Sequence, residues 1–237
     1  MTNRLSTYVI MLIVSLTFLA SCLDSSTNNT EIPSSFNLSL NVQGMGTDQF
    51  DGQNTIALET VKFTLGNLEL KRENDENITF GQNLLVAEFT SENTDDETIG
   101  TGGVAGGIYN GFIFEMLPPD GSGQITDPDL ISFNDDGEVA EAFSVFISGT
   151  FNDEPFEYRT SAELELDLTF EQMVDMPEVS GNMTVRLLPQ TNSWFRDEDS
   201  RLINPNDANE IQTEQINENL VQSFSVNVVV FNDAVLL

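Results

Sequence analysis

A chain of 237 residues with 39 Asp and Glu against 8 Lys and Arg carries a net charge of −31 at pH 7, which repels phosphate backbones and excludes nucleic-acid binding. The absence of histidine removes Ser-His-Asp hydrolysis, histidine general bases and nearly all zinc or iron sites. One cysteine leaves no internal disulfide, so the fold rests on a hydrophobic core, which a chain of this length can bury.

Residues 1–21 have the layout of a secretory signal: Arg4 in a short polar start, an apolar run from Tyr8 to Leu19, then the small residues Ala20 and Ser21. The run is shorter than the roughly 20 residues a membrane span needs. Leu19-Ala20-Ser21-Cys22 resembles the lipobox of bacterial lipoproteins. That resemblance implies a diacylglyceryl group on the Cys22 thiol, removal of residues 1–21, and attachment to a membrane through acyl chains on Cys22. Each buried CH₂ of such a chain contributes about 0.8 kcal/mol, so two or three chains hold where one does not. The alternative is an ordinary signal followed by an unpaired thiol, which is unusual in an oxidising compartment. Residues 22–35, polar and rich in Ser, Thr and Asn, read as the lipidated cysteine and a flexible tether. Asp24 soon after the cysteine resembles the export signals of surface lipoproteins in Bacteroidetes-type bacteria. It implies the outer membrane or cell surface rather than the inner membrane.

Residues 36–237 are expected to form one domain. Phe36-Asn-Leu38-Ser-Leu40-Asn-Val42 alternates as a half-buried strand does. Val61-Lys-Phe63-Thr-Leu65 alternates again, and Leu68-Glu-Leu70 resumes one position out of phase after Gly66-Asn67, which predicts a bulge or bend. A strand is expected from Leu84 to Phe89. Residues 90–107, acidic then glycine-rich, read as a long loop. Within it Gly100-Thr-Gly102-Gly-Val-Ala105 matches a loose dinucleotide fingerprint, but it follows an acidic loop and precedes a strand-like run, so it is read as a turn.

Ile108 to Met116 reads as a central strand, ended by Pro118-Pro119-Asp120-Gly121. A second acidic loop precedes a hairpin of Phe143–Gly149 and Phe156–Thr160, turning at Asn152 to Pro155. Leu164 to Phe170 alternates, with its carboxylates on the solvent face. Thr169-Phe-Glu-Gln172 is expected to cap a short helical turn before Pro177. Met183 to Leu187 is a strand. Asp207-Ala-Asn-Glu210 reads as a capping box starting a helix with Ile211, Ile216 and Leu220, and Phe224 to Val230 closes the chain as a strand.

About nine or ten short strands with one or two short helices predict an all-β fold, an antiparallel β-sandwich. Three features together resemble uncharacterised Bacteroidetes-type lipoproteins with immunoglobulin- or transthyretin-like sandwiches. They are Gly107-Ile-Tyr109-Asn-Gly-Phe-Ile-Phe114; Val145 to Gly149 followed by Pro155-Phe156-Glu-Tyr158; and Trp194-Phe195 followed by Asn204-Pro205, Ile216-Asn-Glu-Asn219 and Ser223-Phe224. The resemblance implies a non-enzymatic cell-envelope module for binding or adhesion, with an unknown protein or glycan partner and no catalytic residues. A structural component of an envelope complex is the alternative. A carboxylate-pair glycoside hydrolase needs only two carboxyl groups at a set separation, and sequence cannot choose a pair among 39.

The acidity has two readings: a solvated surface, or clusters that bind calcium. The candidate calcium ligands are Asp127, Asp129, Asp135, Asp136 and Glu138 in one loop, and Asp197, Asp199, Asn206, Asp207 and Asn209 in another. Asp and Asn also crowd turns for backbone reasons, and no stretch has EF-hand spacing. Trp194 and Phe195 are read as a buried core pair or as a ligand contact.

Overall fold

The computed structural model describes residues 34–232, apart from 75, 81–82, 93–96 and 123. The signal-like segment, Cys22 and most of the tether lie outside the described residues. Those described belong to one compact unit, Pro33–Leu237. The fold is all-β and sandwich-like, with one helix, and among the described residues no helix is long and apolar enough to cross a membrane.

The strands are β1 (Ser35–Leu40), β2 (Gln49–Phe50), β3 (Thr55–Arg72), β4 (Ile78–Phe80), β5 (Leu85–Thr90), β6 (Glu97–Gly103) and β7 (Gly107–Met116). They continue with β8 (Ile131–Phe133), β9 (Val139–Ala142), β10 (Val145–Phe151), β11 (Glu154–Thr160), β12 (Leu164–Met176), β13 (Gly181–Pro189) and β14 (Phe224–Asn232). Helix α1 spans Glu210–Gln222.

An eight-stranded sheet is built on β3, an 18-residue strand. Residues 60–63 pair with β10 and β5 at once, and Leu65 pairs with both β5 and β7. A residue has two edges, so β10 and β7 follow one another along one edge of β3 and β5 lies on the other. Thr64 sits at the handover: its N–H donates to the Ser144 carbonyl (3.0 Å), its carbonyl accepts from Leu117 N–H (3.3 Å), and its hydroxyl donates to the Leu117 carbonyl. Thr64 is fully buried. β11 and β12 extend the sheet from β10 and β7.

The side chains of β3 alternate with period two, so a straight strand of this length would hold one phase throughout. Its buried set is Ile56 and Leu58, then Val61, Phe63 and Leu65, then Leu68 and Leu70. Two slips in pairing reset the phase, one between Ser148 and Gly149 of the partner, the other between Gly66 and Glu69. The second is the bulge that Gly66-Asn67 predicts, with Asn67 at φ 48°. At the first, a Cβ on Gly149 would meet the Ala57 carbonyl oxygen at 2.0 Å, so only glycine fits.

The second sheet has the order β14-β13-β1-β6. β1 and β13 run parallel, Ser35 opposite Asn182 to Leu40 opposite Leu187, so the sandwich is not wholly antiparallel as expected. The glycine-rich segment expected to be loop is, over Glu97–Gly103, a strand on the free edge of β1. It has no apolar alternation to announce it, and its pairing is with a distant part of the chain. The expected helical turn at Thr169–Gln172 is also overturned. β12 runs on through it, with five steps from Thr169 to Val174 opposite two steps from Gly111 to Tyr109, because β7 holds the strand on both sides of the bulge. The capping box sits two residues later than expected: the Asn209 side chain accepts from Gln212 N–H (3.1 Å) and Gln212 Oε1 accepts from Asn209 N–H (3.1 Å). Ile216 and Leu220 are buried, while Ile211 is 78% exposed.

Aromatic rings join the two sheets. Phe36 of β1 lies 6.2 Å from Phe112 of β7, and Phe112 lies 5.9 Å from Phe114. Phe224 of β14 meets Phe114 and Phe63 edge-on at 5.6 and 5.7 Å, and Phe63 meets Trp194 edge-on at 6.0 Å. Trp194 and Phe195 plug the end that α1 covers. Trp194 Nε1 donates to Ser223 Oγ (2.8 Å), and Asn219 Nδ2 donates to the carbonyls of Trp194 (3.1 Å) and Arg196 (2.7 Å). Phe195 packs edge-on against Phe156 and Tyr158, whose hydroxyl donates to Asn217 Oδ1 (2.9 Å). Replacing Trp194 by alanine leaves a cavity in this plug and should cost about 3–5 kcal/mol of unfolding free energy, measured by urea denaturation.

Candidate binding groove

Seven of the ten candidate calcium ligands bond to other groups of the protein, and the carboxylates of Asp135, Asp136 and Glu138 stand exposed. Asp127 and Asp129 each place a carboxylate oxygen 2.8 Å from Lys62 Nζ, with Glu88 at 3.8 Å. Lys62 stands on the outer face of β3 and is only 7% exposed. A small second core of Ile125, Leu130, Ile131 and Phe146 surrounds this site, so the segment between β7 and β10 is fastened over the sheet by both apolar contact and charge. Arg159 lies over the rings of Phe143 and Phe146 at 5.6 and 5.2 Å and pairs with Glu157 at 3.1 Å. Asp135, Asp136 and Glu138 lie at the tip of the β8–β9 hairpin, where the Asn134 side chain accepts from the N–H groups of Asp136 and Glu138.

In the other loop Asp197 Oδ1 accepts from Asp199 N–H (3.0 Å) and Arg201 N–H (2.8 Å), and Asp199 pairs with Arg201 at 3.4 Å. Asn206 donates to the Pro155 carbonyl, Asp207 accepts from Asn204, and Asn209 caps α1. Among the described residues no three His, Cys, Asp or Glu converge to hold a metal ion. Asp127, Asp197 and Asn209 accept N–H bonds in turns and caps, the role in which short oxygen-bearing side chains are favoured. Trp194 and Phe195 are both fully buried, so neither presents surface to a ligand; their rings are needed to fill the end of the sandwich.

Sequence reasoning missed the groove between β12 and β14, of about 480 Å³. One wall is the bulged run Phe170 to Asp175 of β12; the other is Val226, Asn227, Val228 and Val230 of β14. Phe170 points into the core at 6% exposed, while Glu171, Gln172, Met173 and Asp175 are exposed. The bulged run of β12 faces β14, and no backbone hydrogen bond joins the two among the described residues.

The register fixes which backbone groups of β14 are free. Gln190 N–H donates to the Ser223 carbonyl (3.2 Å), in line with the pairing of Pro189 with Phe224. In an antiparallel ladder hydrogen-bonded pairs alternate, so Ser225, Asn227, Val229 and Phe231 bond to β13. The N–H and C=O groups of Val226, Val228 and Val230 therefore point outward, along the groove those residues line. Both end strands of the large sheet are guarded: β11 carries Pro155, Arg159 and two glutamates, and β12 carries carboxylates and a bulge; β6, at the far end of β14's own sheet, carries Glu97, three glycines and a register slip. β14, Phe-Ser-Val-Asn-Val-Val-Val-Phe-Asn, has no charge, no proline and no register slip. The signal for it was legible in the uncharged alternation of that last strand; its being an edge was not.

No family model matches the chain, and neither does any curated protein or solved structure.

Two outcomes follow from this geometry. Calcium at about millimolar, ample for the weaker extracellular classes of site, should leave the melting temperature unchanged; a rise would make the acidic loops a metal site. Burial disfavours the Lys62 ammonium, but Asp127 and Asp129 outweigh it and raise its pKa above the ordinary 10.5. Its contribution to stability is thus complete below 10.5 and lost as pH climbs through the raised folded value. Lys62→Met should lack that alkaline loss of stability in urea titrations run across the interval.

Proposed function

We propose that this chain is a lipid-anchored cell-envelope protein whose β-sandwich serves as a non-enzymatic docking module. The observation that carries the docking role is the unguarded edge of β14 beside the β12 bulge. An exposed, flat, apolar edge strand invites pairing with another chain, and proteins ordinarily blunt such edges with charge, proline or bulges. Here the neighbouring edges are blunted and this one is left open. The groove offers backbone donors and acceptors, apolar side chains and carboxylates. These are the elements of recognition by strand addition, in which main-chain bonds give affinity and alternate side chains give specificity.

The anchoring role rests on Leu19-Ala20-Ser21-Cys22 behind its apolar run. Acyl chains at Cys22 would hold the domain at the membrane despite its acidic surface, and the polar segment after Cys22 would let it stand clear of the bilayer. The acidity then serves solvation and the repulsion of like-charged neighbours.

Cys22→Ser should move the protein from the detergent-rich to the aqueous phase on detergent partitioning and abolish labelling by a radiolabelled acyl precursor. Persistence in the detergent phase would overturn the anchor. The soluble Cys22→Ser chain, immobilised and exposed to solubilised envelope, should retain partners that a Cys22→Ser, Val228→Pro chain does not. Val228 has its N–H on the free edge, where proline leaves the β13 ladder intact.

A further inference from the structure

Resting on the reading of β14 as a docking edge, we infer that its occupant is a cationic extended segment of another protein, with apolar residues alternating with Lys or Arg. Three observations select it. The free donors and acceptors of Val226, Val228 and Val230 recur at every second residue, which fits an incoming strand. Their half-buried side chains, with Val174 across the groove, pack partly against the core. A strand laid there covers them with its own inward residues.

The charge of the groove then sets the residues that alternate with these. Glu171 and Asp175 on the β12 wall are exposed, and among the described residues no lysine or arginine lines the groove. Elsewhere several of the described carboxylates are matched to cations: Asp127 and Asp129 to Lys62, Asp167 to Lys71 at 2.6 Å, Asp199 to Arg201. A cationic strand supplies what Glu171 and Asp175 lack, and a field from −31 charges speeds its approach. The same charge argues against a second copy of this chain, whose own β14 brings no cation to meet Glu171 and Asp175.

The probe is a fluorescent peptide of alternating Lys and Val, titrated into the Cys22→Ser chain by anisotropy. Its controls are an alternating Glu and Val peptide and a Lys-Val peptide with every second amide N-methylated. The expected result is binding by Lys-Val at least tenfold tighter than by either control. Slowed amide exchange should appear at Val226, Val228 and Val230. Glu171→Gln with Asp175→Asn should weaken binding about tenfold and flatten its salt dependence, which separates the groove from diffuse attraction to an acidic surface. Val228→Pro should abolish binding with the melting temperature kept.

Equal binding by the Glu-Val peptide, or binding unchanged by Val228→Pro, overturns the inference. So does a dimer in sedimentation that Val228→Pro dissolves, because it makes a second copy the occupant. If Lys-Val fails to bind while Val228→Pro still loses envelope partners, the cationic strand is wrong and the docking edge stands. If both fail, the docking edge falls too.

Discussion

One strand must keep one apolar face buried over 18 residues, and the rest of the fold is arranged so that it can. A β-strand twists as it lengthens, and its side chains alternate strictly, so a long central strand drifts off the core unless its phase is reset. β3 resets twice, at the Ala57–Leu58 approach to Gly149 and at Gly66-Asn67. Its neighbours change between the resets: β10 lies beside the first part and spans the first reset, β7 lies beside the last and spans the second, and Thr64 binds both where they meet. Phe63 lies in the middle segment, and through its edge-on contacts with Trp194 and Phe224 it ties the large sheet to the small one and to the helical end. With no disulfide to hold the layers, this aromatic contact and the surrounding aliphatic core supply the cohesion.

The excess of negative charge shapes what the few cations do. Lys62 is nearly buried yet faces three carboxylates, and Arg159 spreads over two phenylalanine rings beside it. Both sit where the segment between β7 and β10 folds back over the sheet. A carboxylate-rich segment would be driven off an acidic domain by its own charge; two cations at its root, with a small apolar core, reverse that locally. Other carboxylates are turned inward on the backbone. Asp51 accepts N–H bonds from Gln53, Asn54 and Leu202, and these hold its pKa far below the usual range. In this chain much of the acidity at turns is hydrogen-bonding capacity in use.

The same pattern of guarding explains why one edge stands out. β12 and β14 are the neighbouring edges of the two sheets, and closing them together would make a continuous barrel wall. The bulge of β12 lies along that seam, and the carboxylates there add a cost to any acidic intruder. What is left is a groove with hydrogen-bonding groups on one wall and negative charge on the other.

Alternation of apolar and polar residues in the sequence by itself determined the all-β class and most of the strands, because one buried face per strand is a local requirement. The slip at Gly66-Asn67 was legible for the same reason, and so was the first half of the turn expected at Asn152 to Pro155: Asn152 and Asp153 take positive φ, while Glu154 and Pro155 already belong to β11. The glycine-rich β6 was not, since its strand conformation is imposed by the edge of β1, far away in the chain. That the cap falls at Asn209 and not at the expected Asp207 depends on the placement of the helix that buries Ile216 and Leu220. The candidate calcium ligands could be named by composition, but whether they meet each other or a lysine is a matter of long-range packing. Only the tertiary structure decided that β14 is an edge and β12 its bulged neighbour. A strand's free hydrogen-bonding groups are defined by which strands do not lie beside it, and that depends on the path of the whole chain.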